Sequence, residues 1–303
     1  MSLEVIDLTK IYGKQKALDR VSFTAEKGQV LGFLGPNGAG KSTTMKIATG
    51  FLMPNDGDVR INGISVLDKP KGVSKLVGYL PEHNPLYLDM YVREFLNFVG
   101  GIYGMRGDLL KNRIEELIPL CGLEREAHKK ISQLSKGYRQ RVGLAKALIH
   151  DPEVIILDEP TTGLDPNQLV EIRKLIKDIS QNKTLILSTH IMQEVEAICD
   201  KVVIINQGQI VAADLLKNLK AESRTSTILI ELEEKPSLEW FEALGETTWM
   251  EGKEFGIAIT VNDSSSARKQ ALQIIQDKNL TLISIQQQEH NLESIFHQIT
   301  QKK

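Results

Sequence analysis

The residues with the sharpest chemical content are consecutive: Gly35-Pro36-Asn37-Gly38-Ala39-Gly40-Lys41-Ser42-Thr43. They follow an apolar run, Val30–Leu34, that reads as a buried strand. They lead into Thr44-Met45-Lys46-Ile47-Ala48, which reads as a helix start. Between a strand and a helix, G-x-x-x-x-G-K-[ST] predicts a phosphate-binding loop. Its glycines let successive backbone N–H groups turn inward as a concave nest. The following helix offers unpaired N–H groups and the positive end of its dipole to the same anion. In this reading Lys41 reaches the β- and γ-phosphates of a nucleoside triphosphate, and the Ser42 hydroxyl is a Mg²⁺ ligand. The plainer alternative is a glycine-rich turn that binds nothing; Lys-Ser in register favours the nucleotide.

A second chemical element is Asp158-Glu159, two acids closing the apolar run Val154–Leu157. Successive residues of a strand face opposite sides. One acid can then hold Mg²⁺ while its neighbour faces an attacking water. Asp158 takes the metal, and Glu159 is the base or water-orienting group. Alone, such a pair reads as a helix cap; opposite a phosphate loop the catalytic reading is the stronger.

These groups need a scaffold that brings two strand ends together. Leu3, Val5, Ile6 and Leu8 suggest a first strand over 3–8, and a second covers about 17–25. Pro54-Asn55-Asp56-Gly57 and Asn62-Gly63 bound a short hairpin strand at 58–61. Another strand over about 76–80 precedes Pro81-Glu82. Residues 86–150 carry helical spacing, as in Val92, Phe95, Leu96, Val99 and Ile114, Leu117, Ile118, Cys121. After the Asp158 strand come a helix over about 167–181, a strand over 184–188, and Thr189-His190 opening a further helix. Val202–Asn206 and Gln209–Val211 form a closing hairpin. Strand, phosphate loop, helix, strand with acids, helix, strand is the alternation of a parallel sheet covered on both faces. From about 220 the pattern restarts: a strand at 227–233, a short helix at 238–244, a strand at 255–261, a helix at 267–278, a strand at 280–285 and an amphipathic helix at 291–299. This predicts a first domain over 1–220 and a small α+β accessory domain over 221–303.

Leu134-Ser135-Lys136-Gly137-Tyr138-Arg139-Gln140-Arg141, just before the Asp158 strand, resembles the signature motif of ATP-binding-cassette (ABC) proteins. The other elements fall in that family's order over about 1–215. Tyr12 resembles the aromatic that stacks on the base, although by itself a tyrosine at a turn is more often packing. Glu82 stands where the family's lid loop has glutamine, and would join Ser42 and Asp158 at the metal. Asp165 resembles the residue of the loop that crosses to the partner subunit, and His190 the switch histidine that hydrogen-bonds the γ-phosphate. The resemblance implies an α/β P-loop cassette ATPase. It would have a parallel or mixed sheet core, an N-terminal antiparallel β part and a helical subdomain over about 86–150. It also implies ATP and Mg²⁺ as ligands and a head-to-tail dimer, in which Ser135 and Gly137 of one copy cap the ATP held by Gly35–Thr43 of the other. Membrane-spanning transporter subunits would receive the motion. The similarity looks nearest to drug- and ion-export ATPases. The stretches 78–87 and 134–141 are especially similar to gliding-motility-associated subunits of Bacteroidetes-type bacteria. Three positions depart from the family pattern: Lys136 replaces a glycine, Tyr138 a glutamine, and Glu82 a neutral amide. A carboxylate at position 82 would weaken binding of ATP⁴⁻ if it came close.

Composition bounds the partners. The 303 residues carry 37 Lys+Arg against 39 Asp+Glu, and no basic excess points to nucleic acid. Residues 221–303 hold 8 basic and 13 acidic residues, which leaves 29 and 26 for 1–220: nets of -5 and +3, as expected of separate domains. Two cysteines without metal-ligand spacing and an N-terminus without a signal pattern suggest a cytoplasmic protein. No apolar run reaches bilayer length, so membrane association would be peripheral, on the inner face. A soluble cassette ATPase acting on ribosomes or nucleic acid is the other reading; one phosphate loop, no heptad insert and an acidic tail favour the transporter subunit. Tyr79, Tyr87, Tyr91, Phe95, Phe98 and Tyr103 fall within 25 residues, six of the chain's sixteen aromatics. Phe95 and Phe98 are expected in the core of the helical insertion. Tyr87 and Tyr91, flanking Asp89, suit an interface, and the resemblance places the membrane partner's docking there.

Overall fold

The computed structural model describes residues 2–222, 226–250, 254–262 and 264–289, and the chain divides into two compact units, Met1–Leu216 and Lys217–Lys303. The first unit opens with antiparallel strands β1 (Leu3–Tyr12) and β2 (Gln15–Ala25). β3 (Val30–Leu34) runs through the glycine-rich loop into α1 (Lys41–Ala48). β4 (Asp56–Ile61) and β5 (Ile64–Ser65) form a hairpin, followed by α2 (Pro70–Val73) and β6 (Val77–Leu80). Three helices come next: α3 (Val92–Ile102), α4 (Gly107–Leu120) and α5 (Lys136–Leu148). The chain then alternates through β7 (Val154–Asp158), α6 (Pro166–Ser180), β8 (Thr184–Thr189) and α7 (Met192–Ile198). It closes with β9 (Lys201–Asn206) and β10 (Gln209–Leu215), and α8 (Leu216–Glu222) opens the second unit.

Two sheets build this unit, ordered β2-β1-β4-β5 and β10-β9-β3-β8-β7-β6. In the second, β6, β7, β8, β3 and β9 are parallel and only β10 is antiparallel. Every residue of β3, β7 and β8 is buried, as expected where both faces of a sheet are covered. The order places β3 beside β8 and β8 beside β7, so the C-terminal ends of these strands, carrying the loop, His190 and Asp158, lie side by side. A shared apolar core joins the antiparallel sheet, α1 and the central sheet; within it Phe23 packs on Phe33 with ring centroids 5.0 Å apart. Each fully buried leucine or isoleucine there contributes roughly 1.5–3 kcal/mol.

Some expectations shift. The first strand reaches Tyr12, because antiparallel pairing with β2 continues to the hairpin turn. Helix begins only at Val92; Tyr91 bridges Lys130 in an isolated β-pair. β9 is more than one arm of a hairpin, since it also pairs in parallel with β3.

The second unit has its own sheet, ordered β12-β13-β11-β14, from β11 (Ser226–Leu232), β12 (Glu246–Trp249), β13 (Gly256–Val261) and β14 (Leu282–Glu289). Alternation in β11 buries Ile228, Ile230 and Leu232 against Ala267, Ala271 and Ile275 of α9 (Ser264–Asp277). The expected helix at 238–244 is only a 3₁₀ turn, Leu238–Trp240, and β12 was not anticipated because three of its four residues are polar. The helix expected at 291–299 lies outside the described residues. Cys121 and Cys199 are buried free thiols, and burial pushes the Cys121 thiol up to about 12.

Candidate functional site

The loop leaves β3 at Gly35. Gly40 adopts φ +111°, and a Cβ there would stand 2.6 Å from Leu18 Cδ2 and 2.8 Å from the Ala17 carbonyl oxygen; neither the backbone nor the space admits another residue. The Ala39 N–H donates to the Pro36 carbonyl (3.2 Å), and the Ala39 carbonyl accepts from Gly208 N–H (3.0 Å) in the β9–β10 turn. The loop's shape is therefore fixed by its own backbone and by a neighbouring strand turn.

Lys41, the first residue of α1, is buried. Its Nζ donates to the carbonyls of Gly35 (2.8 Å) and Pro36 (3.3 Å) and lies 3.7 Å from Glu159 Oε1. Burial pushes its pKa down, and the carboxylates of Glu159 and Asp158 work against that shift. Asp158, last residue of β7, sits in register with Ser188 of β8 and is almost completely buried. Among the described residues, Asp158 Oδ1, Ser188 Oγ and Glu159 Oε2 have no hydrogen-bond partner. A buried polar atom left unpaired costs about 1–3 kcal/mol, so three at one end of a sheet mark a place built for a ligand.

Glu159 corrects the reasoning from strand alternation. It lies beyond the strand with φ +52°, its N–H donating to the Ser188 carbonyl (2.9 Å). The two carboxylates separate because the chain turns into the left-handed region there. That conformation costs a non-glycine residue about 1–3 kcal/mol and persists only where the surroundings enforce it. Glu159 Oε1 is 2.9 Å from His190 Nδ1, which joins the ends of β7 and β8.

A cleft of about 470 Å³ results. It brings together Asn37, Gly38, Gly40, Lys41, Ser42 and Thr43 with Glu82, Glu159 and His190. Gly35, Pro36 and Ala39 shape the loop behind it. Tyr12 is not among the lining residues: it is half-exposed at the end of β1, with Lys10 Nζ 5.4 Å from its ring centre. Ser135, Gly137 and Asp165 also stand apart from the cleft. Ser135 caps α5, accepting from Tyr138 N–H (3.4 Å), and Asp165 caps α6, accepting from Gln168 N–H (3.0 Å). Gly137 is buried, and a Cβ there would stand 2.5 Å from Gln168 Oε1 of α6. Tyr138 turns to a different cavity, where Arg141 lies over its ring at 5.7 Å; replacing glutamine there leaves the cleft untouched.

Sequence reasoning missed Ala17 and Thr162 at the cleft wall. It also missed Glu194, a buried carboxylate on α7 that accepts from the hydroxyls of Thr161 and Thr189, the latter at 2.9 Å. It ties the loop after Glu159 to the residue before His190. In sequence, a glutamate in the first turn of a helix reads as a solvated partner of the dipole, and nothing in the pattern marks it as buried.

A separate apolar groove of about 490 Å³ lies at α3. Tyr87 lines it, 58% exposed, with its ring edge-on to Phe98 (5.5 Å) and Phe95 (6.1 Å). Phe95 is buried as expected. Phe98 is not: it is 40% exposed and lines the groove. Tyr91 does not line it and instead caps α3, with Lys130 Nζ 6.0 Å from its ring centre.

Known proteins share this architecture. The ABC transporter family profile matches residues 18–162. An uncharacterized ABC transporter ATP-binding protein, YxlF of Bacillus subtilis (strain 168), is 33% identical over 97% of this chain and 98% of its own length. The bacitracin transport ATP-binding protein BcrA of Bacillus licheniformis is 37% identical over 73% of this chain and 72% of its own. Among solved structures, a dimeric ATP-binding cassette in a post-hydrolysis state, bound to ADP and phosphate, superposes with a TM-score of 0.65 at 26% identity. It covers 71% of this chain and 98% of that one. The chain therefore belongs to the ABC transporter ATP-binding family, as an ATP-hydrolysing motor subunit that works with the membrane-spanning part of a transporter.

Proposed function

We propose that this subunit drives an export-type transporter from the cytoplasmic face of the cell membrane, hydrolysing ATP with Mg²⁺ between two head-to-tail copies. The convergence of Lys41, Glu159 and His190 in one cleft carries this reading. Lys41, already desolvated, aims a cation at the β- and γ-phosphates. Ser42 and the unpaired Asp158 oxygen would hold Mg²⁺, with Glu82 at the rim of the same cleft. Among the described residues no cluster of three or more His, Cys, Asp or Glu could hold a metal by itself, and Mg²⁺ is typically held by one or two carboxylates plus substrate phosphates. The ion would neutralise phosphate charge. Glu159 orients the attacking water and accepts its proton. His190, anchored through Nδ1, leaves its second ring nitrogen for the γ-phosphate, while Tyr12 offers its exposed ring to the base. Ser135 and Gly137, at the start of α5, and Asp165, capping α6, close over the ATP of the other copy, which fits their position outside the cleft of their own chain.

The groove at Tyr87 is the docking site for a membrane-spanning subunit. Tyr87→Ala is expected to weaken copurification of that subunit in gentle detergent while the isolated protein hydrolyses ATP at the parental rate. Tyr91→Ala, changing a residue outside the groove, should leave copurification unchanged. Equal retention of the partner by both variants would place docking elsewhere. Gliding motility is a second reading, favoured by the wording of 78–87 and 134–141; the identity of the copurifying membrane subunit decides between it and drug export.

Residues 217–303 form an accessory unit that supports dimerisation or coupling. Its deletion should leave ATP binding intact, measured by nucleotide titration, and lower the dimer fraction or partner-stimulated turnover. Loss of ATP binding in the truncated chain would contradict that division of labour.

A further inference from the structure

Three acids are buried among the described residues: Asp158, Glu159 and Glu194. The first two belong to the proposed chemistry. Glu194, 1% exposed, does not line the cleft and has no part in it so far. Glu159 has Lys41 at 3.7 Å and His190 at 2.9 Å, whereas no cation among the described residues lies at ion-pair distance from Glu194. An acid buried without a cation is costly unless its oxygens are hydrogen-bonded. Both are: Oε1 accepts from the Thr161 hydroxyl, and Oε2 from the Thr189 hydroxyl at 2.9 Å. Thr161 lies two residues past Glu159, and Thr189 immediately precedes His190. Among the described residues, Glu194 is the only hydrogen-bond partner of the Thr161 hydroxyl. Thr189 Oγ1 also accepts from the Ile191 N–H at 3.1 Å, and the Glu194 N–H donates to the Ile191 carbonyl at 3.2 Å. Both chain neighbours of His190 are thus bound into one cluster.

We propose that Glu194 is a positioning residue for ATP hydrolysis: it clamps the loop of Glu159 to the segment of His190 and so holds these two side chains at their contact distance. This rests on the catalytic reading of Glu159 and His190 above and adds the group that sets their geometry. Neither residue holds its own place. Glu159 stands at φ +52°, a conformation that persists only where its surroundings enforce it. Two backbone bonds contribute, from Glu159 N–H to the Ser188 carbonyl (2.9 Å) and from Thr162 N–H to the Glu159 carbonyl (3.3 Å). Between them, the Thr161 hydroxyl is anchored on Glu194. The His190 side chain is 45% exposed, so its direction depends on Glu159 and on the backbone either side of it. Misplacing a group by about 1 Å can cost on the order of 100-fold in rate. The side chains of Glu194, Thr161 and Thr189 make no hydrogen bond to the loop Gly35–Thr43 among the described residues, so the clamp acts on turnover and not on nucleotide affinity.

The test uses the full chain, with kcat and the Kd for Mg²⁺-ATP measured side by side well below the melting temperature. Glu194→Ala removes the clamp. Glu194→Gln keeps an acceptor for one hydroxyl and offers the other an N–H. Thr161→Val removes one hydroxyl with nearly the same shape, and carries the test if Glu194→Ala does not fold. Glu194→Ala is expected to lower kcat by about 10- to 100-fold, and Thr161→Val by less, both with unchanged Kd. Glu194→Gln should stay near the parental rate. In a His190→Ala background Glu194→Ala should cost little more, because residues that act through one contact are not additive. A packing defect would neither spare affinity nor depend on His190. A loss of affinity matching the loss of rate, a Glu194→Gln variant as slow as Glu194→Ala, or a full further loss in the His190→Ala background would each overturn the proposal. If Glu159→Gln and His190→Ala keep parental turnover, the catalytic reading fails and the clamp with it. If those two lose turnover while Glu194→Ala and Thr161→Val do not, the clamp alone is wrong.

Discussion

Glu159→Gln binds ATP as the parent does and lowers its turnover by about 10²–10⁴-fold, the contribution of a positioned general base. The amide keeps the shape of the side chain, so the contact with His190 at 2.9 Å survives in either ring orientation. What it loses is the ability to accept a proton from water. It also loses the negative charge 3.7 Å from Lys41 Nζ, which leaves the ammonium freer to face phosphate and should, if anything, tighten nucleotide binding. With hydrolysis blocked, the closed pair of subunits should accumulate, visible as an ATP-dependent dimer in size-exclusion chromatography. Parental turnover in this variant would transfer the role of base to another group, His190 first.

Lys41→Ala should lose nucleotide affinity by about ten- to a hundred-fold, the scale of one charge-assisted contact in a desolvated site. A ligand at a hundred times its Kd stabilises a folded protein by about 2.7 kcal/mol, and at that concentration the variant would keep about 0.4–1.4 kcal/mol of it, so the rise in melting temperature with Mg²⁺-ATP should fall to half or less of the parent's. The unliganded variant also loses the cation beside Glu159, and some stability with it. Lys41→Met, closer in length, separates that cost from the binding defect. An undiminished ATP-induced shift in both variants would remove Lys41 from the phosphate site.

Much of this was legible because it is local. The loop from Gly35 to Thr43 needs only its own glycines, the strand before it and the helix after it. An all-apolar run ending in acids announces a buried strand whose end must face something polar. Those patterns identify the cassette and its nucleotide loop; the roles of Lys41, Asp158 and Glu159 are the ones proposed above, and that of His190 rests on the family resemblance. Weaker patterns misled where packing decides. Phe98 follows helical spacing into an expected core, yet α3 turns it to the groove.

What only the tertiary structure decided are relations between residues far apart in the chain. The strand order β3-β8-β7 sets Glu159 against both Lys41 and His190. The left-handed turn at Glu159 separates it from Asp158, where strand alternation had seemed the reason. Glu194 becomes a buried junction only because Thr161 and Thr189 arrive from two different strand ends. A sequence records which charges a chain carries; the fold decides which of them lose their water, and those are the ones that act.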